Sequence, residues 1–107
     1  DKTALGSVES VEWEHNPNTV EVLKSLKTEG YRIVALEHTD VSKQYNKYKY
    51  EFPLCLVVGN EVEGISDEVL EICDDAVEIP MFGIKQSLNV SVSYGIMIYY
   101  IIDSYLN

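Results

Sequence analysis

With 107 residues and 18 Asp and Glu against 8 Lys and Arg, for a formal net charge of -10, the chain fits one small domain with a thin core. That balance argues against a standalone nucleic-acid binder, because neutralising phosphates takes Lys and Arg. Any contact with RNA must use a very local basic surface or one supplied from elsewhere; otherwise the composition, 46% hydrophobic and 24% charged, is that of a soluble globular domain.

The opening DKTALGS has no apolar core of a signal peptide. TAL reads as helix-like and closed by Gly6, and SVESVEW as a short strand. Asn16-Pro17 predicts an N-cap followed by proline at the first helical position. Val20, Val22, Leu23 and Leu26 give a short amphipathic helix its apolar face, and Gly30 ends it. YRIVALE (31–37) is a predicted strand, and HTDVSKQYNKYKYEF a polar, tyrosine-rich loop with a short helical turn.

LCLVVG (54–59) follows Pro53 as a second strand, apolar on both faces, which predicts a sheet covered by helices on both sides. Ser66-Asp67-Glu68 starts a helix with carboxylates at its positive end, and Val69, Leu70 and Ile72 form its apolar side. Cys55 and Cys73 form no CxxC and are expected to be buried reduced thiols, although spacing leaves a disulfide open. His15 and His38 have no second ligand at useful spacing, so no metal site is expected on them.

DAVEIP (75–80) predicts a third strand, and after MFGIKQ a long helix begins near Ser87. In that helix Ser87, Ser91 and Gly95 fall at i, i+4 and i+8 and line one face. Leu88, Val90, Val92, Ile96, Met97, Ile98, Ile101 and Ile102 cover the rest of the circumference. Such a helix is buried in a core or in an interface; in so small a domain an interface, and hence a homodimer, is expected. Its run VSVSYGIMIYYII is too short and too rich in serine and tyrosine to span a bilayer.

Strands alternating with helices predict an α/β fold, with a mostly parallel sheet flanked by helices. Ligands then bind beyond the carboxyl ends of the strands. Three loops belong there: Glu37-His38-Thr39, Gly59 to Gly64, and Ile79 to Ser87. GNEVEG (59–64) is neither a P-loop, lacking the Gly-Lys-Ser/Thr ending, nor a GxGxxG fingerprint. Its glycines allow positive φ or close backbone approach. Glu61, Glu63 and Asp67 could gather Mg²⁺, but a solvated acidic loop is the simpler reading.

LVVGNEVEGIS (56–66) and EIPMFGIKQSLNVSVSYGI (78–96) closely resemble the second and third signature motifs of the SpoU-type RNA 2′-O-ribose methyltransferases of the SPOUT superfamily. KTALGS (2–7) and IVALE (33–37) are similar to that family's intermediate segments. The resemblance covers essentially the whole chain. It implies a C-terminal trefoil knot, one of the rare exceptions to unknotted topology, a homodimer, S-adenosylmethionine in the knot, and methyl transfer to a ribose 2′-hydroxyl of tRNA or rRNA; the reduced thiols expected at Cys55 and Cys73 suggest a cytoplasmic location.

Carried over by position, the resemblance implies cofactor contacts from Leu36, Gly59, Ile79 and Leu88, with Asn60, Glu61 and Met81 nearby. It implies polar active-site roles for Glu61, Ser87 and Asn89: Ser87 and Asn89 orient the substrate side, and Glu61 organises the site. The more ordinary roles, Ser87 as a helix cap and Asn89 as a partner for loop backbone, are compatible with these. The family's first motif, with its asparagine and 2′-hydroxyl-activating arginine, is absent, and Arg32 does not match it. Residues 1–107 therefore read as the C-terminal portion, about two-thirds, of such a catalytic domain. A noncatalytic dimeric module with the same fold is the alternative; a metal-dependent α/β enzyme using the acidic loop is more remote.

Overall fold

The computed structural model describes residues 8–12, 18–59, 64–80 and 90–107. Among these the elements run β1 (Val8–Glu12), α1 (Thr19–Thr28), β2 (Arg32–Leu36), β3 (Lys43–Gln44), β4 (Leu54–Val58), α2 (Asp67–Ile72), β5 (Asp75–Glu78) and α3 (Val90–Leu106). The strands form one sheet in the order β1-β4-β2-β5-β3, and every pairing is parallel. The mostly parallel sheet expected from the alternation is present.

β4 lies between β1 and β2, with Leu54 opposite both Val8 and Arg32 and Val58 opposite both Glu12 and Leu36. All five of its residues are buried, as a strand apolar on both faces requires. Side chains alternate across the pleat. Leu54, Leu56 and Val58 join Val8, Val34, Val77, Met97 and Ile101 on the α3 side. Cys55 and Val57 join Ile33, Ala35, Leu23, Ile65 and Val69 on the side of α1 and α2. The result is a helix–sheet–helix sandwich with a separate apolar cluster on each face.

The helix boundaries follow local chemistry. The N-cap of α1 is Asn18, two residues after the expected Asn16, which with Pro17 lies outside the described residues. Its hydrogen-bond ladder begins at the Asn18 carbonyl, which accepts from the Val22 N–H at 2.9 Å. Val22 does not belong to the buried face: it is 44% exposed while Leu23 is fully buried. One residue turns the helix by about 100°, enough to carry Val22 off the side that Thr19 and Leu23 present to the sheet. At the other end Gly30, at φ +95, donates to the Lys27 carbonyl and Tyr31 donates to the Leu26 carbonyl, each at 3.0 Å. This is the glycine-dependent closure expected at that position. In α2 the Ser66 hydroxyl accepts from the Val69 N–H at 3.3 Å, as its cap role predicts.

Two further expectations change. The tyrosine-rich loop contains β3, which pairs Lys43 with Val77 and Gln44 with Glu78 at the sheet edge; two polar residues carry no periodicity by which to recognise a strand. Cys55 is buried, but Cys73 is only half-buried, and both thiols are free; burial pushes each up to about 12. In α3, Met97 and Ile101 are fully buried, whereas Ile96, Tyr99 and Leu106 are exposed. Tyr94 on that helix donates to the Ser10 hydroxyl at 2.7 Å and so ties it to β1. The expected knot depends on the path of residues 81–89 into α3, and the opening TAL helix on residues 1–7; both lie outside the described residues.

At the amino ends of the strands, Arg32 and Tyr48 both donate to the Asp75 carboxylate at 2.6 Å. Burial pushes the Asp75 carboxyl up, but those hydrogen bonds outweigh it and hold the group below its usual range. Burial, then the bond to Asp75, pushes the Tyr48 phenol up to about 12. A depressed carboxyl stabilises the fold above its unfolded pKa of about 3.9, and the effect is lost as pH falls through the lower folded value. Asp75→Asn is therefore expected to cost about 1–2 kcal/mol at pH 7, discounted for the part-exposed Arg32. Urea denaturation at pH 7 and pH 3 should show a smaller difference in the variant than in the parent; an unchanged difference would remove Asp75 from the acid sensitivity.

Candidate functional site

The carboxyl ends of β2, β4 and β5 lie side by side, and the loops leaving β2 and β4 meet. Gly59 follows β4 with no room for a side chain: a Cβ there would lie 2.5 Å from the Gly64 carbonyl carbon and 2.8 Å from the Ile65 nitrogen. The loop that leaves at Gly59 thus returns against its own start. Gly64 turns at φ +68, a conformation few other residues adopt without strain.

Glu37, the first residue after β2, fastens that return. Its N–H donates to the Val77 carbonyl at 3.0 Å, linking β2 to β5. Its carboxylate accepts from the Ile65 N–H and lies 2.9 Å from where a Gly64 Cβ would be. Burial raises the Glu37 carboxyl above its usual range, against the opposing pull of the Ile65 hydrogen bond. On the β5 side, Glu78 accepts from the Ser42 hydroxyl and pairs with His38 Nδ1 at 3.0 Å. The Ser42 bond first, then His38, lowers the Glu78 carboxyl.

Of the sequence-derived site residues, Leu36, Gly59 and Ile79 are described, and all three stand at this edge. Leu36 and Ile79 are half-buried and pack against the cluster on the α3 side. Asn60, Glu61, Met81, Ser87, Leu88 and Asn89 lie outside the described residues, as does Glu63. The first two of the three expected loops meet through Glu37, Gly64 and Ile65; the third begins at Ile79 on the neighbouring strand. Sequence reading missed Glu37 as the fastener and the Ser42–Glu78–His38 chain. A glutamate ending an otherwise apolar strand was the available signal for the former.

Arg32 sits at the opposite edge of the sheet, committed to Asp75 and Tyr48. Among the described residues no three His, Cys, Asp or Glu side chains gather as metal ligands, and Asp67 is exposed. No helix among them is long and apolar enough to cross a membrane.

The sequence model of the SpoU rRNA Methylase family matches residues 1–99. The chain is 45% identical over 82 residues to the tRNA (guanosine(18)-2'-O)-methyltransferase of Aquifex aeolicus (strain VF5), covering 77% of this chain and 39% of that protein. Its fold superposes on the crystal structure of the A. aeolicus TrmH/SpoU tRNA modifying enzyme with a TM-score of 0.67 and 45% identity, over 78% of this chain and 42% of the other. A crystal structure of an RNA 2'-O ribose methyltransferase matches at a TM-score of 0.72 and 32% identity, over 83% of this chain and 34% of that one. The chain thus spans well under two-thirds of the length of these relatives.

The contact at Gly59 makes a direct test possible. Gly59→Ala should cost about 1–3 kcal/mol, because backbone rather than a pliable side chain must give way. Glu37→Ala, which leaves the Ile65 N–H without its acceptor, should cost about 1–2 kcal/mol, and Glu37→Gln, which keeps an acceptor oxygen, markedly less. Thermal and urea denaturation rank the three; a Gly59→Ala chain as stable as the parent would contradict the close loop return.

Proposed function

The chain belongs to the SpoU rRNA Methylase family, and on that premise we propose that it is the cofactor-binding part of an S-adenosylmethionine-dependent RNA 2′-O-ribose methyltransferase acting on tRNA or rRNA. One observation carries the reading: the motif stretch LVVGNEVEGIS puts its two glycines in contact at the carboxyl edge of the sheet, fastened by Glu37. That is where open α/β sheets bind ligands.

The residues at this edge suit the cofactor's chemistry. Half-buried Leu36 and Ile79 offer apolar surface to an adenine, and the carboxylates of Glu37 and Glu78 set negative charge where a sulfonium cation would be favoured. Leu36, Gly59 and Ile79, with Asn60, Glu61, Met81 and Leu88, are the proposed cofactor contacts. When bound, the cofactor supplies a methyl group on a positively charged sulfur. The chain's part is to hold that group in line with the ribose oxygen, and such positioning supplies much of the rate. Ser87 and Asn89 are assigned to orienting the ribose, and Glu61 to organising the loop by hydrogen bonding. The knotted path of the C-terminal segment and a homodimer belong to the same proposal. The outward stripe of α3, with Ile96, Tyr99 and Leu106 exposed and, among the described residues, no neighbouring atom within 4 Å of a Cβ at Gly95, is the proposed dimer surface. An RNA-modifying role places the protein in the cytoplasm.

A second reading has its own support. Arg32 is the chain's single arginine, and it is fixed at the sheet edge remote from this site. An arginine that activates the 2′-hydroxyl would have to come from outside these 107 residues. Without one, the chain is a noncatalytic dimeric module that keeps the cofactor pocket.

Calorimetric titration with S-adenosylhomocysteine, the demethylated product, tests the shared core of both readings. Saturable binding is expected, with a melting temperature raised by roughly 10 °C at a hundredfold excess over Kd. Gly59→Ala should bind at least tenfold more weakly, about 1.4 kcal/mol. A folded chain that shows no heat of binding would refute the cofactor assignment. In a methyl-transfer assay of an arginine-complete enzyme, Asn89→Ala should slow turnover at least tenfold while shifting Tm little; an unchanged rate would remove Asn89 from the site.

A further inference from the structure

The loop that leaves β2 carries a histidine whose imidazole is held in one orientation. His38 Nδ1 lies 3.0 Å from Glu78 Oε2, and the other oxygen of that carboxylate accepts from the Ser42 hydroxyl. Ser42 is fixed in its turn: its hydroxyl accepts from the Thr39 N–H at 3.0 Å, and its own N–H donates to the Thr39 carbonyl at 3.3 Å. Glu78 is anchored through its backbone carbonyl, which accepts from the Tyr45 N–H at 2.8 Å. The Ser42 bond first, then His38, keeps the Glu78 carboxyl below its usual range, so it acts as an acceptor at neutral pH.

That arrangement settles what the imidazole can offer. The ring nitrogen that faces a carboxylate carries the proton, and in a neutral imidazole the other nitrogen is left with a lone pair. Nε2 of His38 is thus an acceptor. Among the described residues no group bonds it, and the side chain is 66% exposed, open to a ligand. The neighbouring acceptors are engaged: the Glu37 carboxylate by the Ile65 N–H, and Thr39 Oγ1 by the Val41 N–H at 3.2 Å. Asp40 is exposed on the same turn, but no side-chain bond to a described residue fixes its carboxylate.

Position selects the ligand group. Leu36 pairs with Val77 across β2 and β5; His38 lies two residues beyond Leu36, and Glu78 immediately precedes Ile79. The imidazole therefore stands where the strands carrying both of the described apolar contacts proposed for adenine end. A nucleoside with its base on that apolar pair carries its ribose directly beside it, and a ribose hydroxyl is a donor that suits an imidazole lone pair. We infer that His38 Nε2 accepts a hydrogen bond from a ribose hydroxyl of the cofactor's adenosine, with Glu78 and Ser42 as positioning residues that fix the ring; this rests on the cofactor reading above. Holding the ring in advance lowers the ordering cost of that contact.

The test is calorimetric titration of the 107-residue chain and its variants with S-adenosylhomocysteine and with the 2′-deoxy and 3′-deoxy ribose analogues of that compound. The parent should bind one of the two analogues roughly fivefold more weakly than S-adenosylhomocysteine, the worth of one neutral hydrogen bond. His38→Ala, at an exposed position, should lose the same factor for S-adenosylhomocysteine and nothing further for that analogue, so the two changes are not additive. Glu78→Ala should lose most of the discrimination between hydroxyl and deoxy ligands, and Glu78→Gln, which still accepts from Nδ1, should keep more of it; a loss of stability alone would not move that ratio. If His38→Ala weakens S-adenosylhomocysteine and both analogues by one common factor, the imidazole only supports the loop and the inference is overturned. A parent that binds all three ligands equally well overturns it too and leaves the cofactor reading standing. A folded parent that binds none of them removes both.

Discussion

Everything in this small domain hangs on β4 being covered on both faces. A parallel sheet this narrow has one interior strand that is apolar throughout, LCLVV, and its alternate side chains must each find an apolar layer. α3 supplies one layer through Met97 and Ile101, and α1 with α2 supplies the other through Leu23 and Val69. Remove either layer and half of β4 faces water. Because β4 pairs with both β1 and β2 in register from Leu54 to Val58, the same constraint sets the height of three strand ends together. The loops that leave them are brought to a common edge as a by-product of core packing.

The two edges of the sheet are then used differently. At the amino edge Arg32, Tyr48 and Asp75 form a hydrogen-bonded ion pair, with Lys27 and Asp74 beside it, and a cavity of about 250 Å³ opens among Lys27, Arg32, Glu51 and Asp74. Those charges answer one another and serve the fold. At the carboxyl edge Glu37 and Glu78 are instead turned to backbone, hydroxyl and imidazole partners, which fastens the loops. The carboxyl edge is the one proposed to take the cofactor, and the amino edge serves the fold.

Family membership and chain length bear on different parts of the function. The likeness extends over most of this chain but over only 39% of the A. aeolicus relative's length. The part in hand contains the edge proposed to bind the cofactor. The arginine that the family resemblance calls for has no counterpart here, since Arg32 is engaged in the structural pair. The proposed cofactor binding and the proposed catalysis are therefore separable, and they call for separate measurements.

Residue patterns alone were enough to identify the α/β class, the strands at 32–36, 54–58 and 75–78, the Gly30 and Ser66 boundaries and the family. Each of these rests on near neighbours in the chain or on a motif: continuous apolar runs, a glycine where φ must be positive, a hydroxyl three residues before the amide it caps. The pattern misjudged Val22 and passed over β3, because a residue at the margin of a helix face, or a two-residue polar strand, is settled by what packs beside it. The roles of Glu37 and Gly59 were also beyond it. Glu37 and Ile65 are far apart in sequence, and nothing in either segment announces that the glutamate will accept the other's amide; only the parallel pairing of β2 with β4 brings them together. The glycines of GNEVEG were legible as positions needing freedom, but that one must pass within contact of the other was decided by the loop folding back on its own strand. Local chemistry determined which elements form, and the packing of those elements determined which loops meet to make a site.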